Sequence, residues 1–298
     1  VSSIDSPISQ STVSSTASST ASSNWHGLLN LEFQAVNGKT RLTHSQAIAP
    51  YKVQRSFAQA DGTCQVVMLH TAGGMVGGDR LTTAVTIGEQ AQVLLTTAAA
   101  AKIYKSTGTL TQQTVHLTVA PQACLEWLPQ ETILFDRAQY RQDLRIELAA
   151  GAQVVLWEIT RFGRTARGEQ FSQGDWRSHT EVWQAGTPLW IDRQWLPGSP
   201  EMLASPHGLN HCPIVGTLAW IGRSLDKSDV EVARQLWDPI AAHHPDDQFG
   251  VTRLPQGLLC RYRGHSSTAV RHGFIQTWQW IRSVQGRSWE ELPRVWML

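Results

Sequence analysis

Charge is scarce in this 298-residue chain: Asp, Glu, Lys and Arg together make up 16%, against roughly a quarter in an average globular protein. The 25 basic and 24 acidic residues leave a formal charge of +1, which gives no electrostatic footprint for nucleic acid. A surface so poor in charge is either rich in Gln, Thr and Ser or covered by other proteins. Long apolar runs are also missing, and none reaches the roughly 18 residues that a membrane span needs. Cysteine is limited to Cys64, Cys124, Cys212 and Cys260, with no C-x-x-C pair. Such scatter suits buried small residues in a reducing compartment and excludes a disulfide framework. No Lys or Arg precedes Lys39, so neither a signal-peptide nor a transit-peptide pattern is present, and a cytoplasmic location is the expectation. No G-x-S-x-G elbow supports a serine nucleophile.

What is present falls into three stretches. Residues 1–23 are Ser/Thr-rich with almost no large apolar side chains, too little to offset the entropy of ordering. They read as a disordered tail, with order starting near Trp25. From Leu31 to about Trp195, short runs rich in Val, Leu and Thr are cut by Gly, Pro and Asp-Gly, the pattern of β-strands. Small turn sequences feed apolar runs at Ala91, Ala123 and Ala152. Recurrence at about 30 residues suggests stacked β layers, although β proteins also reuse such turns without repeating. The remainder is more helical. Ser228-x-x-Glu231 reads as a capping box opening a helix with Val230, Ala233, Leu236 and Trp237 on one face. A second helix, capped near Ser267 or Thr268, carries Val270, Phe274, Trp278 and Ile281, with Gly286 as its stop. The expected fold is mainly β, layered or β-helix-like. A single domain over 24–298 would have a β body to about 225 and a helical and mixed part from about 226.

Three segments could carry chemistry. HTAGGMVGGDRL at 70–81 places Gly73, Gly74, Gly77 and Gly78 before Asp79. A phosphate loop needs Gly-Lys-Ser/Thr and a helix, and a dinucleotide loop also needs a helix. Here a carboxylate and a strand-like run follow, so both nucleotide readings fail. What remains is a tight connection presenting Asp79, as a ligand or as a cap of its own turn. LEWLPQETILFDRA at 125–138 sets Glu126, Glu131 and Asp136 around a proline-broken run. Glu131 and Asp136 could be the acid and base of a β-solenoid carbohydrate hydrolase, or simply solvated turn carboxylates. WEITRFGRTARGEQF at 157–171 spaces Arg161, Arg164 and Arg167 between Glu158 and Glu169, suited to gripping an anion or to internal ion pairing. His207, His211 and Cys212 are weak metal candidates, since their Pro/Gly loop aligns no helical face.

Taken together, GGMVGGDRL at 73–81, TTAAAAKIYKS at 96–106, LEWLPQETILFDRA at 125–138, EITRFGRTARGE at 158–169 and PRVW at 293–296 resemble the urease accessory protein family UreD, also called UreH. The resemblance runs in order from about Trp25 to the end of the chain. It implies a β-rich, non-catalytic scaffold that holds no tightly bound cofactor. It also implies a complex with the helical protein UreF, the GTPase UreG and the urease apoprotein, which loads nickel into urease, with transient nickel passing through the accessory proteins. Ni²⁺ binds N, O and S donors strongly, so a transfer path should hold it weakly, through water and isolated carboxylates. The candidates are therefore Asp79, Glu131, Asp136, Glu158 and Glu169, lining a path or holding turns beneath it. Lys102, Tyr104 and Arg164 are candidate partner contacts.

Overall fold

The computed structural model describes residues 25–287 and 292–297; the Ser/Thr-rich stretch at 1–23 lies outside them. β1 (His26–Val36) turns at Asn37-Gly38 into β2 (Lys39–Ile48). Both turn residues have positive φ, 52° and 73°, the backbone that matches the right-handed twist of a two-residue hairpin. β3 (Tyr51–Val53) and β4 (Phe57–Ala58) then line β5 (Cys64–His70). The body winds in coils. The first is β6 (Arg80–Ile87), β7 (Gln92–Thr97) and β8 (Ala101–Ile103). The second is β9 (Thr111–Val119), β10 (Cys124–Trp127) and β11 (Thr132–Leu134), and the third is β12 (Gln139–Leu148) and β13 (Gln153–Phe162). β14 (Asp175–Gln184) and β15 (Thr187–Pro197) form a hairpin, followed by α1 (Pro200–Ala204) and β16 (Ile214–Ile221). After α2 (Lys227–Gln235) and α3 (Asp238–His243) come β17 (Gln248–Leu254), β18 (Gly257–Gly264) and the long α4 (Ser267–Val284).

The result is a β-solenoid with two large faces. One sheet is ordered β15-β14-β12-β9-β6-β1-β2, and the other runs β17-β18-β16-β13-β10-β7-β5-β3. Successive coils stack in parallel, pairing Arg80 with Gln112 and Thr111 with Tyr140. These are the same offsets of 32 and 29 residues that separate Ala91, Ala123 and Ala152. The three alanines are buried, at 0%, 1% and 0% exposure. The Cys124 N–H donates to Ala91 O and the Gln153 N–H to Ala123 O, each at 3.0 Å. A larger side chain at this corner would part the coils, so the recurrent alanine records stacking. The lower half of the interior is aliphatic. Val85, Leu117, Ile146 and Val182 form a row from the first sheet, facing Val93, Leu125, Val154 and Ile221 from the second.

Helices α2, α3 and α4 pack on the outer face of the second sheet, and β17 and β18 extend that sheet. Val270, Phe274, Trp278 and Ile281 of α4 are buried in one cluster with Val155, Trp157, Ile159, Leu218 and Trp220. Ser266 caps α4, its hydroxyl accepting from the Ala269 N–H at 3.1 Å, and Gly286 follows with a left-handed φ of 69°. The start of α2 differs from the sequence expectation. The capping pair is Asp226 and Asp229, whose carboxylate accepts from the Asp226 N–H at 2.9 Å. Glu231 instead pairs with Arg234. The motif S-x-x-E is present, but an aspartate two residues earlier satisfies the same backbone donors and starts the helix there. A buried charge cluster fastens the end of α4 to the coils: Arg282 donates to Glu126 at 2.9 and 2.7 Å and to Asp61 at 3.2 Å. Arg287 joins it, 3.1 Å from Glu126.

Candidate functional site

The glycine-rich segment is the first rung of a third, narrow face. Met75 bridges in parallel to Ile103, Ile103 pairs with Leu134, and Leu134 pairs with Phe162. Gly74 is required by close approach: a Cβ there would lie 2.6 Å from Lys102 O and from the Tyr104 ring. Tyr104 donates its hydroxyl to Gly73 O at 3.0 Å and sits edge-on to Phe135, with centroids 4.9 Å apart. The Arg164 guanidinium lies 4.4 Å above the same Phe135 ring and is ion-paired with Glu169. Glu169 also accepts from the Asp136 N–H at 3.1 Å, and Asp136 accepts from the Gln173 N–H and the Ser172 hydroxyl. The structure thus brings four of the singled-out stretches together as adjacent rungs. Within them Asp79 is buried at 1% exposure. Its two oxygens accept from the Trp25 N–H at 2.9 Å and the Val76 N–H at 2.8 Å, so its carboxylate closes the turn.

Beneath this face the upper half of the interior is hollow. A cavity of about 180 Å³ opens beside Gly73, Gly74 and Lys102 and runs inward to Glu158. Its polar wall follows from strand parity. Gln113 and Gln142 are in register on neighbouring strands, and Gln142 is in register with Ser178. All three point inward, because β residues alternate between faces. Tyr140 places its hydroxyl 3.0 Å from Gln113 Oε1 and 3.2 Å from Gln142 Oε1. Opposite, Thr97, Trp127, Leu156 and Glu158 supply the other wall.

Among the described residues Glu158 is the one carboxylate on the lining. It accepts from the Ser178 hydroxyl at 2.9 Å. Burial pushes its pKa up to about 7 and the nearby Asp192 charge adds to this, against the Ser178 hydrogen bond and Arg261. Burial likewise raises Tyr51, to about 12, and Tyr140. At the open end, His70 places Nδ1 2.8 Å from Ala72 O. A carbonyl only accepts, so Nδ1 is the donor in this contact and Nε2 is the ring nitrogen left for a metal.

The other candidates lie elsewhere. Glu131 is ion-paired with Arg271 of α4. With Asp136 tied to Ser172 and Gln173, neither carboxylate lines the cavity, and nothing supports the hydrolase pairing. His207 and His211 are exposed while Cys212 is buried. The chain around them is held instead by Arg263, which donates to Pro206 O and Gly208 O. Among the described residues no group of three or more His, Cys, Asp or Glu is placed to hold a metal ion. Sequence reasoning passed over Gln113 and Gln142, whose only signal is an inward position that the coil register defines. It also passed over His70, which the segment contains but the glycines and Asp79 overshadowed.

A family profile described as UreD urease accessory protein matches residues 26–297. The chain is 54% identical over 275 residues to the urease accessory protein UreD of Nostoc punctiforme, covering 92% of this chain and 96% of that one. It is 51% identical to the UreD of Acaryochloris marina (93% and 96% covered) and 49% identical to that of Thermosynechococcus vestitus (92% and 99% covered).

Proposed function

From the premise that the chain belongs to the UreD family of urease accessory proteins, we propose that it serves urease maturation as a non-catalytic scaffold whose cavity passes nickel toward apo-urease. Its partners in this role are UreF, the GTPase UreG and the urease subunits, and it works in the cytoplasm. No described helix is long and apolar enough to cross a membrane. The observation that carries the proposal is the polar wall of Gln113 and Gln142 leading to Glu158, the single carboxylate on the cavity lining among the described residues.

The donor set suits passage. His70 Nε2 at the mouth offers an imidazole ligand, which nickel accepts readily. Further in, neutral amide oxygens and one carboxylate give sites too poor in charge and too few in donors to trap the ion, while water completes its shell. Asp79, Asp136 and Glu169 act in this reading as turn and rung holders beneath the path, and Glu131 as an anchor for α4. Lys102, Tyr104 and Arg164, grouped on the narrow face, are the proposed partner contacts.

The test co-expresses the chain with urease and the other accessory proteins and measures nickel bound to urease. Glu158→Gln should lower that nickel with the accessory complex still intact. Asp79→Ala should instead reduce the complex itself, because two backbone donors lose their acceptor. Full nickel occupancy with Glu158→Gln in the complex would refute the path.

A further inference from the structure

The inner end of the cavity stops at Glu158, yet the polar rows on both walls continue past it, to the edge strand β15 of the first sheet and to β18, beside the edge strand β17, of the second. On the second sheet Glu158 is in register with Thr217, and Thr217 with Arg261. On the first, Ser178 is in register with Gln194, and Thr180 with Asp192. Arg261 lies two strands from Glu158, so their backbones are roughly 10 Å apart. Ser178, Thr180 and Thr217 are buried polar residues, at 2%, 3% and 5% exposure. The rows end in a cross-sheet pair. Arg261 donates Nη1 to the Thr217 hydroxyl and Nη2 to Asp192 Oδ1, both at 2.7 Å. Asp192 Oδ2 accepts from Gln194 Nε2 at 2.8 Å. The Asp192 side chain is 14% exposed and that of Arg261 39%, so Asp192 faces inward while the guanidinium has one side in solvent.

We propose that Asp192 and Arg261 form a latch across the far end of the cavity, and that a divalent cation held at Glu158 leaves the chain there by taking the place of the guanidinium on Asp192. This rests on the reading of the cavity as a nickel path. Charge counting supports the exchange. Once Glu158 is ionised, it and Asp192 share the field of one guanidinium and are left with an excess negative charge, so a proton on Glu158 leaves as the cation arrives. A divalent cation between them neutralises both and no longer needs Arg261. The displaced guanidinium does not have to cross an apolar layer, because it already borders water. While the latch is shut, Arg261 occupies Asp192 and prevents a two-carboxylate site from holding the ion. A shut latch keeps a cation at Glu158 from passing out between β15 and β18 until Arg261 is displaced.

The test is accessibility of the row behind the pair. Ser178→Cys places a thiol there, and a trimethylammonium-ethyl methanethiosulfonate converts it to a mixed disulfide with release of methanesulfinate. The full chain is labelled in its accessory complex and the modified cysteine is located by mass spectrometry. Adding Arg261→Met should speed labelling of that cysteine about tenfold, equivalent to roughly 1.4 kcal/mol of closure. Arg261→Lys, which keeps the charge, should label more slowly than Arg261→Met. The native Cys124, buried at 5% exposure, serves as the internal reference and should stay protected throughout. An unchanged rate in Arg261→Met overturns the latch. So does a rise matched by Cys124, which would mean that the pair only clamps the sheets together. The urease-nickel result for Glu158→Gln stands apart from this labelling, so failure of the path and failure of the latch remain distinguishable.

Discussion

Replacing Glu158 with glutamine should make the stability of this chain respond differently to pH. In the folded chain burial raises the carboxyl from an ordinary 4.5 to about 7. The folded state therefore binds a proton between those values that the unfolded chain has released. Stability contributed by the protonated carboxyl is present below the unfolded value and is lost as pH rises toward 7. Above that, ionising Glu158 costs the fold roughly 3 kcal/mol relative to water, less whatever cavity water screens. Glutamine has nearly the same shape and can still accept from Ser178. It forgoes the ionisation, so its stability does not follow this titration. The variant should then match or slightly trail the parent near pH 5 and exceed it by about 2 kcal/mol near pH 8. Urea unfolding followed by tryptophan fluorescence reads this directly. A difference that stays constant within about 0.5 kcal/mol across that range would refute the claim that Glu158 titrates in a buried cavity.

Three further outcomes follow from the packing. Arg282→Met leaves Glu126, at 0% exposure, short of its charge partner and should cost about 3–5 kcal/mol in chemical denaturation; a loss below about 1 kcal/mol would show that Arg287 suffices. Gly74→Ala pushes a methyl into Lys102 O and the Tyr104 ring and should cost about 1–3 kcal/mol. Gly73→Ala, whose nearest neighbour would be 3.7 Å away, should unfold at nearly the parent temperature, and equal effects would refute the close-approach account. Trp296→Ala removes a ring packed on Trp157 and Trp278 and a 2.9 Å hydrogen bond to Thr96; it should cost about 3–5 kcal/mol in the same denaturation assay.

The sequence made the coils visible through what they exclude. Only a small side chain fits the corner where Ala91, Ala123 and Ala152 stack, so the spacing of the alanines reports the coil length. Glu158 could be singled out because it lies in a distinctive stretch, but its depth could not be read there. Depth depends on which strand faces it, and Ser178 comes from the β14–β15 hairpin of the opposite sheet. Gln113 and Gln142 look like ordinary strand glutamines until the register turns them inward. Asp192 and Arg261 are 69 residues apart on different sheets, a contact that no local pattern encodes. The α2 cap was displaced for a simpler reason: two acceptors competed for the same helix start, and the aspartate two positions earlier prevailed.

The inward row from Gln113 through Gln142 and Ser178 to Gln194 takes one side chain from each neighbouring strand. Adjacent strands are about 4.8 Å apart, so the solenoid acts as a ruler with fixed graduations. A cation crossing it perpendicular to the strands would advance in strides of that length. Adding or removing a coil would change the distance travelled and the number of resting points together. In this architecture the reach of the passage is counted in turns of the chain.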